Sequence, residues 1–586
     1  MKIALALAAC LFLLVAFPLD AADDLGYVRI ENPKSFLGKL DAVTGKLGAR
    51  VSDDLPLFAQ RYLKNPLLGG IEMTRSWTFV FLDPQRHTNH LAIVVGVSDA
   101  ASFYDSFGKG GVSNVRADPA GATDAVRHFT EVEDVYDHQA YLAAVNAGQK
   151  VEPLQFKKQV TKHYYVTVRD GKGMIVDDVK QLDDPALTAL AADGNGARGD
   201  IVATLRAPAI LALYEDELRR QKESILSAIG SAAAGDVVAR RVKQLVAEFD
   251  ATLIFFKNVA KLEIGADFGG GQLKLRIAAL PLEGSSFSRA LAGQQPRETD
   301  AHLLALLPAD VAMLGTLRFA PTKEWSDFLL ELVRPILEAS AGNNSDSSAK
   351  LMEACRETMN VSGGAFATAV LAPSTNQTAP DGIEVFRVVD GSRARKAQRM
   401  ALETGLSIFR AIVQPGNGGE VKYEPDFARC GGVGIDQVTI DPGTPGDAIF
   451  GTNCVQQIAF AGGFELVAQG PHCTNNIRRL ITAAAASSGA DAQGFKAAAA
   501  SFPKKENGIF YLNLADYIGH LRNTVPAGND AALRRLQAQL AEAKARVTGY
   551  LVLEARAAVL KLSIPLDVLV DIFIKNNAPP PASSTP

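Results

Sequence analysis

His87-Thr-Asn-His90, with Asp83 just upstream, is the closest pairing among the eight histidines of this 586-residue chain. Two imidazoles and a carboxylate have the chemistry to hold zinc or copper. The segment also reads as a polar loop between two strands, where such residues are expected without any ligand. Its counterpart later in the chain, Ala372 to Asp381, has no histidine pair. No resident metal or cofactor is therefore expected, and Asp83, His87 and His90 are the positions to check.

The densest acidic cluster is Glu131-Val-Glu-Asp134 with Asp137 and His138. Paired carboxylates perform acid/base hydrolysis or bind calcium when geometry allows. The expectation here is a solvated acidic loop. Asp177-Asp178 and Asp183-Asp184 bracket a short helix and suit a capping role. Gly194-Asn-Gly-Ala-Arg-Gly199 matches G-x-G-x-x-G. A dinucleotide site needs a strand before that run and a helix after it, whereas here a strand follows, so a linker is read. There is no Walker A run, no H-E-x-x-H, no G-x-S-x-G and no EF-hand loop. No catalytic residue is assigned.

The elements that would position chemistry begin with an export signal. Met1 and Lys2 precede an apolar run from Ile3 to Phe17, and small residues end at Ala21-Ala22. Residues 1–22 read as a secretory signal peptide, its core short of the ~20 apolar residues that span a bilayer. Leu7-Ala8-Ala9-Cys10 carries the alternative of a lipid anchor at Cys10. The mature chain is expected to be periplasmic or extracellular. Net charge is −4, which argues against charge-driven nucleic-acid binding. Export permits disulfides among Cys355, Cys430, Cys454 and Cys473. A hairpin turning at Gly462-Gly463 would bring Cys454 close to Cys473, leaving Cys355 to pair with Cys430.

Five segment types recur in the same order at an offset of roughly 300 residues. They include Tyr27 to Ile30 and Ala312 to Arg318, each leading into a helix, and the pairs Gly69-Gly70 and Gly363-Gly364, each leading into strands. They also include the hairpins around Gly171 and Gly462-Gly463. Alternating strands such as Gln272 to Ile277 imply a sheet with one buried and one wet face. The expected fold class is α+β: two tandem diverged copies of a unit with mainly antiparallel sheet and helices packed on one face. The expected boundaries are 23–296 and 303–575, with a disordered Pro-rich tail over 576–586.

The strands before Asn32-Pro and Ala320-Pro, the run Val97-Ser-Asp-Ala-Ala-Ser-Phe, the Tyr-Val-x-Val-Arg-Asp-Gly hairpin and Phe510-Tyr-Leu-Asn-Leu-Ala-Asp-Tyr517 carry a resemblance. Together they resemble large secreted bacterial domain-of-unknown-function proteins. The resemblance covers most of the mature chain. It implies an exported envelope protein with duplicated α+β halves, no reaction, and no functional residues to carry over.

The functional expectation is an exported, non-enzymatic envelope protein that binds a protein, polymer or apolar ligand. No nucleic acid partner and no transmembrane helix in the mature chain are expected. The alternatives are an envelope hydrolase with a dispersed active site and a lipid-handling carrier. A perturbed cluster of ionisable groups in one pocket would favour the hydrolase.

Overall fold

The computed structural model describes residues 25–82, 87, 91–109, 114–123, 125–136, 140–141, 144, 147, 156–184, 187, 199–231, 236–298, 300–341, 345–373, 379–412, 420–441, 454–486, 505–524 and 530–577. Residues 1–24 and 578–586, Asp83, His90, Asp137, His138 and most of the Gly194–Gly199 run lie outside them, while Asn576 and Asn577, the first residues of the expected tail, end the helix Leu566–Asn577.

The chain divides into two compact units. One comprises residues 1–217 with 263–270, the other residues 218–262 with 271–586. These units are set by packing, whereas the division expected between 296 and 303 is one of sequence repeats. The helices Asp236–Lys257 and Ser286–Ala292 both pack on the helix Lys323–Ala341. Phe287 stacks on Phe328 at 4.9 Å between ring centroids and meets Phe255 at 5.7 Å. Aromatic burial of this size decides which unit a helix joins.

The first unit contains β1 (Gly26–Ile30), β2 (Trp77–Phe81), β3 (Leu91–Gly96), β4 (Val115–Ala117), β5 (Arg127–Tyr136), β6 (Lys157–Arg169), β7 (Lys172–Val176) and β8 (Ile201–Arg206). Every pairing is antiparallel, in the order β8-β1-β2-β3-β7-β6-β5-β4. The Asn32-Pro signature has a local cause. Asn32 caps the helix Pro33–Thr44 by accepting from the Ser35 N–H, and Pro33 sits where a helix needs no donor. Asp170 and Gly171, both at positive φ, turn β6 into β7.

Continuing in chain order, β9 (Val259–Gly269) precedes β10 (Gln272–Pro281), β11 (Val311–Arg318), β12 (Ser362–Leu371), β13 (Gly382–Val388), β14 (Glu420–Cys430), β15 (Val433–Asp441), β16 (Cys454–Ala461), β17 (Phe464–Gln469), β18 (Gly508–Asn513), β19 (Arg546–Glu554) and β20 (Ala557–Ile564). In the second unit the order is β10-β20-β19-β18-β11-β12-β13-β17-β16-β15-β14, again antiparallel throughout.

Helices do not keep to one face, which corrects the expected layering. In the second unit Ile383, Val385, Leu466 and Ala459 share a core with Leu303, Leu306, Ile477 and Leu480 from two helices. The opposite face is covered by the helix Gly391–Ile412, where Ala394 packs on Val388 and Leu406 on Val438. In the first unit β2 is apolar at all but one position and buried throughout, with Phe79 and Ile93 in one core and Val80 and Val94 in another. A sheet buried on both sides loses the simple alternation that marks a half-exposed one.

Cys355 and Cys430 are free thiols, so the pairing expected between them does not form. Burial raises the Cys355 thiol, and Cys430 packs against the core of the second unit. The β16–β17 hairpin turns at Gly462-Gly463 as its sequence predicts. Cys473 is buried beyond its open end, while the Cys454 side chain lies outside the described residues, as does that expected pairing. Among the described residues no helix is long and apolar enough to cross a membrane.

Candidate functional site

A cavity of about 350 Å³ in the second unit is lined by Arg297, Asp300, His302, Arg318, Gly363 and Arg387. That volume lies within the range of small-molecule sites. Its lining is largely polar, with three arginines and one aspartate.

Buried amides fix the segment that carries Arg297. Gln294 is 4% exposed and bonds both ways to Ala320, donating from Nε2 to its carbonyl at 2.9 Å and accepting its N–H at 2.8 Å. Asn507, 1% exposed, donates through Nδ2 to the carbonyls of Gln295 and Arg318, each at 3.0 Å, and accepts the Leu553 N–H at 2.7 Å. The polar stretch that reads as a boundary is therefore held against the end of β11.

Each arginine meets a different environment. Arg387 on β13 donates from Nε and Nη2 to one oxygen of Asp300, at 2.8 and 2.7 Å. The other Asp300 oxygen accepts the N–H groups of His302 and Leu303, capping the helix Ala301–Leu306. The Arg387 guanidinium also lies 5.0 Å from the Phe464 ring centroid. Arg318, the last residue of β11, donates from Nη1 to the Glu298 carbonyl at 2.6 Å. The Arg297 Nε is buried and has no hydrogen-bond partner among the described residues.

The Gly363-Gly364 pair shapes the floor. A Cβ at Gly363 would overlap the Arg387 stem, so the bare backbone lets that side chain cross. Gly364 has φ +70° and donates to the Ser362 hydroxyl at the irregularity in β12. A guanidinium is permanently charged and presents a planar fork of donors that matches carboxylate and phosphate oxygens.

The sites anticipated from sequence are placed elsewhere. His87 Nδ1 lies 3.1 Å from an oxygen of Asp177, whose side chain is 4% exposed. Among the described residues no group of three or more His, Cys, Asp and Glu side chains is placed to hold a metal. The acidic cluster is a strand rather than a loop. Glu131 on β5 is buried, paired with Lys64 at 2.8 Å, and accepts the Tyr164 hydroxyl at 2.5 Å. Burial and then the Glu131 charge push the Tyr164 hydroxyl far above its ordinary value. Asp178 caps the 3₁₀ turn Val179–Asp183 in a reciprocal capping box with Gln181, as its position suggests.

One further pair was not visible in sequence. Buried Asp381 accepts the His472 N–H at 2.9 Å and lies 2.7 Å from His472 Nδ1. The pair spans 91 positions, without a spacing to betray it.

Comparison with family models, curated proteins and solved structures finds no match to this chain.

Proposed function

We propose that this is an exported, non-enzymatic envelope protein that binds an anionic ligand, or an anionic group on a polymer or protein, in the arginine-lined cavity. The observation that carries the reading is the imbalance of three arginines to one aspartate lining about 350 Å³. A polar, cationic lining narrows the expectation away from an apolar ligand. Export rests on the signal-like residues 1–22.

We also read the chain as a duplicated unit. In support, β1 lies between β2 and β8 while β11 lies between β12 and β18. The runs β3-β7-β6-β5-β4 and β13-β17-β16-β15-β14 follow the same order.

The test is calorimetric titration of the mature protein with small anions at low salt, beside Arg297→Ala. Saturable heat with the native protein, reduced in the variant, is expected. The absence of heat with every anion would end this reading.

The hydrolase alternative has one observation in its favour, the Asp381–His472 pair. A buried carboxylate on Nδ1 fixes an imidazole in the orientation a general base needs. Hydrolysis of generic esters by the native protein, lost in His472→Gln, would move the assignment to that site.

A further inference from the structure

The charge count of the cavity specifies its ligand more closely, and this step rests on the anion-binding reading above. Arg297, Arg318 and Arg387 supply three fixed positive charges, and Asp300 supplies one negative charge. Glu298, next in sequence to Arg297, is exposed, and its backbone carbonyl accepts from Arg318. The balance of two uncompensated positive charges is met by a dianion. A single carboxylate or a sulfate ester carries one negative charge and leaves half of it unmet. The Arg387 side chain is 36% exposed, so solvent screens part of this charge, and the match in charge number acts as a preference between ligands of different charge.

Shape adds a second constraint. The three guanidiniums come from three separate backbone elements: the segment after Gln294, the end of β11, and β13. Among the described residues each keeps donors unused, Arg387 spending Nε and Nη2 on Asp300 and Arg318 spending Nη1 on a carbonyl. One planar carboxylate is served by one guanidinium fork. Donors on three elements suit an acceptor whose oxygens point in several directions.

We infer that the cavity binds the tetrahedral dianion of a phosphate monoester. Asp300 sets the charge count by neutralising Arg387, and so makes the site selective for two negative charges over one.

Three probes of similar size separate the possibilities by calorimetry on the mature full-length protein. Phenyl phosphate is a tetrahedral dianion, phenyl sulfate a tetrahedral monoanion, and phthalate a dianion made of two trigonal carboxylates. At pH 8 phenyl phosphate should bind at least about tenfold more tightly than phenyl sulfate, the order expected when one charge goes unmet. At pH 5 the advantage should collapse, because the second phosphate ionisation lies near ~6. Arg297→Ala lowers the balance to one positive charge and should shrink the same advantage at pH 8.

Equal binding of phenyl phosphate and phenyl sulfate at pH 8 would overturn the charge match and leave anion binding standing. Tighter binding of phthalate would overturn the phosphate assignment in favour of a dicarboxylate. No binding of any of the three at millimolar concentration would remove both this inference and the reading beneath it. The ligand panel on the native protein decides these outcomes even if the variant fails to fold.

Discussion

Arg387 reaches one oxygen of Asp300 with both Nε and Nη2, at 2.8 and 2.7 Å, and it does so by crossing the bare backbone of Gly363. The two adjacent glycines of β12 therefore have separable duties. At Gly363 an added Cβ meets only the Arg387 side chain. At Gly364 it meets the Phe319 carbonyl oxygen, and φ is +70°. Gly363→Ala should cost about 1 kcal/mol, at the low end for overpacking, because the overlap with the Arg387 Cγ and Cδ is relieved by a change of rotamer and leaves the backbone in place. Its anion affinity should fall as Arg387 is displaced. Gly364→Ala should lose about 2–3 kcal/mol of stability through strain and backbone overlap. Thermal unfolding and calorimetric titration of both variants check the contrast. Equal stability losses at the two positions would contradict this division.

Lys64 holds the second relationship of this kind, in the first unit. Its side chain is 13% exposed and that of Glu131 is 10% exposed. Lys64 has φ +53°, a conformation lysine rarely adopts, so the ion pair and the backbone turn support each other. Lys64→Ala leaves a buried carboxylate held only by Tyr164 among its described side-chain partners and should cost about 3–5 kcal/mol. The double variant Lys64→Met/Glu131→Leu should recover part of that loss, since an apolar pair replaces a buried ionic one while the Tyr164 hydroxyl loses its acceptor. Denaturant unfolding of the single and double variants measures it. A double variant as unstable as Lys64→Ala would show that the charges contribute more than the volume they fill.

These two clusters also mark the limit of what the sequence discloses. Turns were legible because they depend on neighbouring residues. Gly462-Gly463, Asp170-Gly171 and the Asp178 cap each act within a few positions. Glu131 read as solvated because its partner Lys64 lies 67 positions away. The cavity arginines share no spacing that a motif could encode, and the one local sign of the site was the glycine pair beneath Arg387. The layering was misread for a related reason. Strands such as Gly382–Val388 alternate between two buried cores, so a residue pointing away from one core enters another. The ring contacts of Phe287 with Phe255 and Phe328 likewise join residues that no local spacing connects.

The helix Gly391–Ile412 is fastened to its sheet by charge. Asp436, 2% exposed, accepts from Arg395 at 2.6 Å, from Arg399 and Tyr423 at 3.0 Å, and from the Asp426 N–H at 2.9 Å. Burial alone would raise this carboxyl, but the bonds from Arg399 and Arg395 outweigh it and hold Asp436 far below the usual carboxylate range. A depressed folded value means the contribution is complete above the unfolded value near ~3.9 and is lost as pH falls toward the folded one. Asp436→Asn should therefore lower the melting temperature at pH 7, with the gap to the native protein closing as pH drops below about 4. A gap that stays constant from pH 7 to pH 3 would mean that Asp436 acts through shape rather than charge.

Glu465 gives the opposite sign on the same sheet. It is 6% exposed on β17, and burial followed by the charge of Glu384 raises its carboxyl to about 7. Glu384 on β13 is itself raised by burial. In the native state Glu465 keeps its proton well above the unfolded value near ~4.3, so the folded chain binds more protons between the two values. Its stability contribution is then greatest below the unfolded value, declines as pH rises through this window, and is level again above about 7. Glu465→Gln keeps the neutral shape and removes the ionisation. It should leave stability nearly unchanged at pH 4 and raise it at pH 8 by up to about 3 kcal/mol, each tenfold difference in proton affinity between the folded and unfolded chain being worth about 1.4 kcal/mol. Chemical denaturation at the two pH values tests this directly. An equal change at both would place the effect in hydrogen bonding, and a loss at pH 8 would mean that the charged carboxylate has a partner it needs.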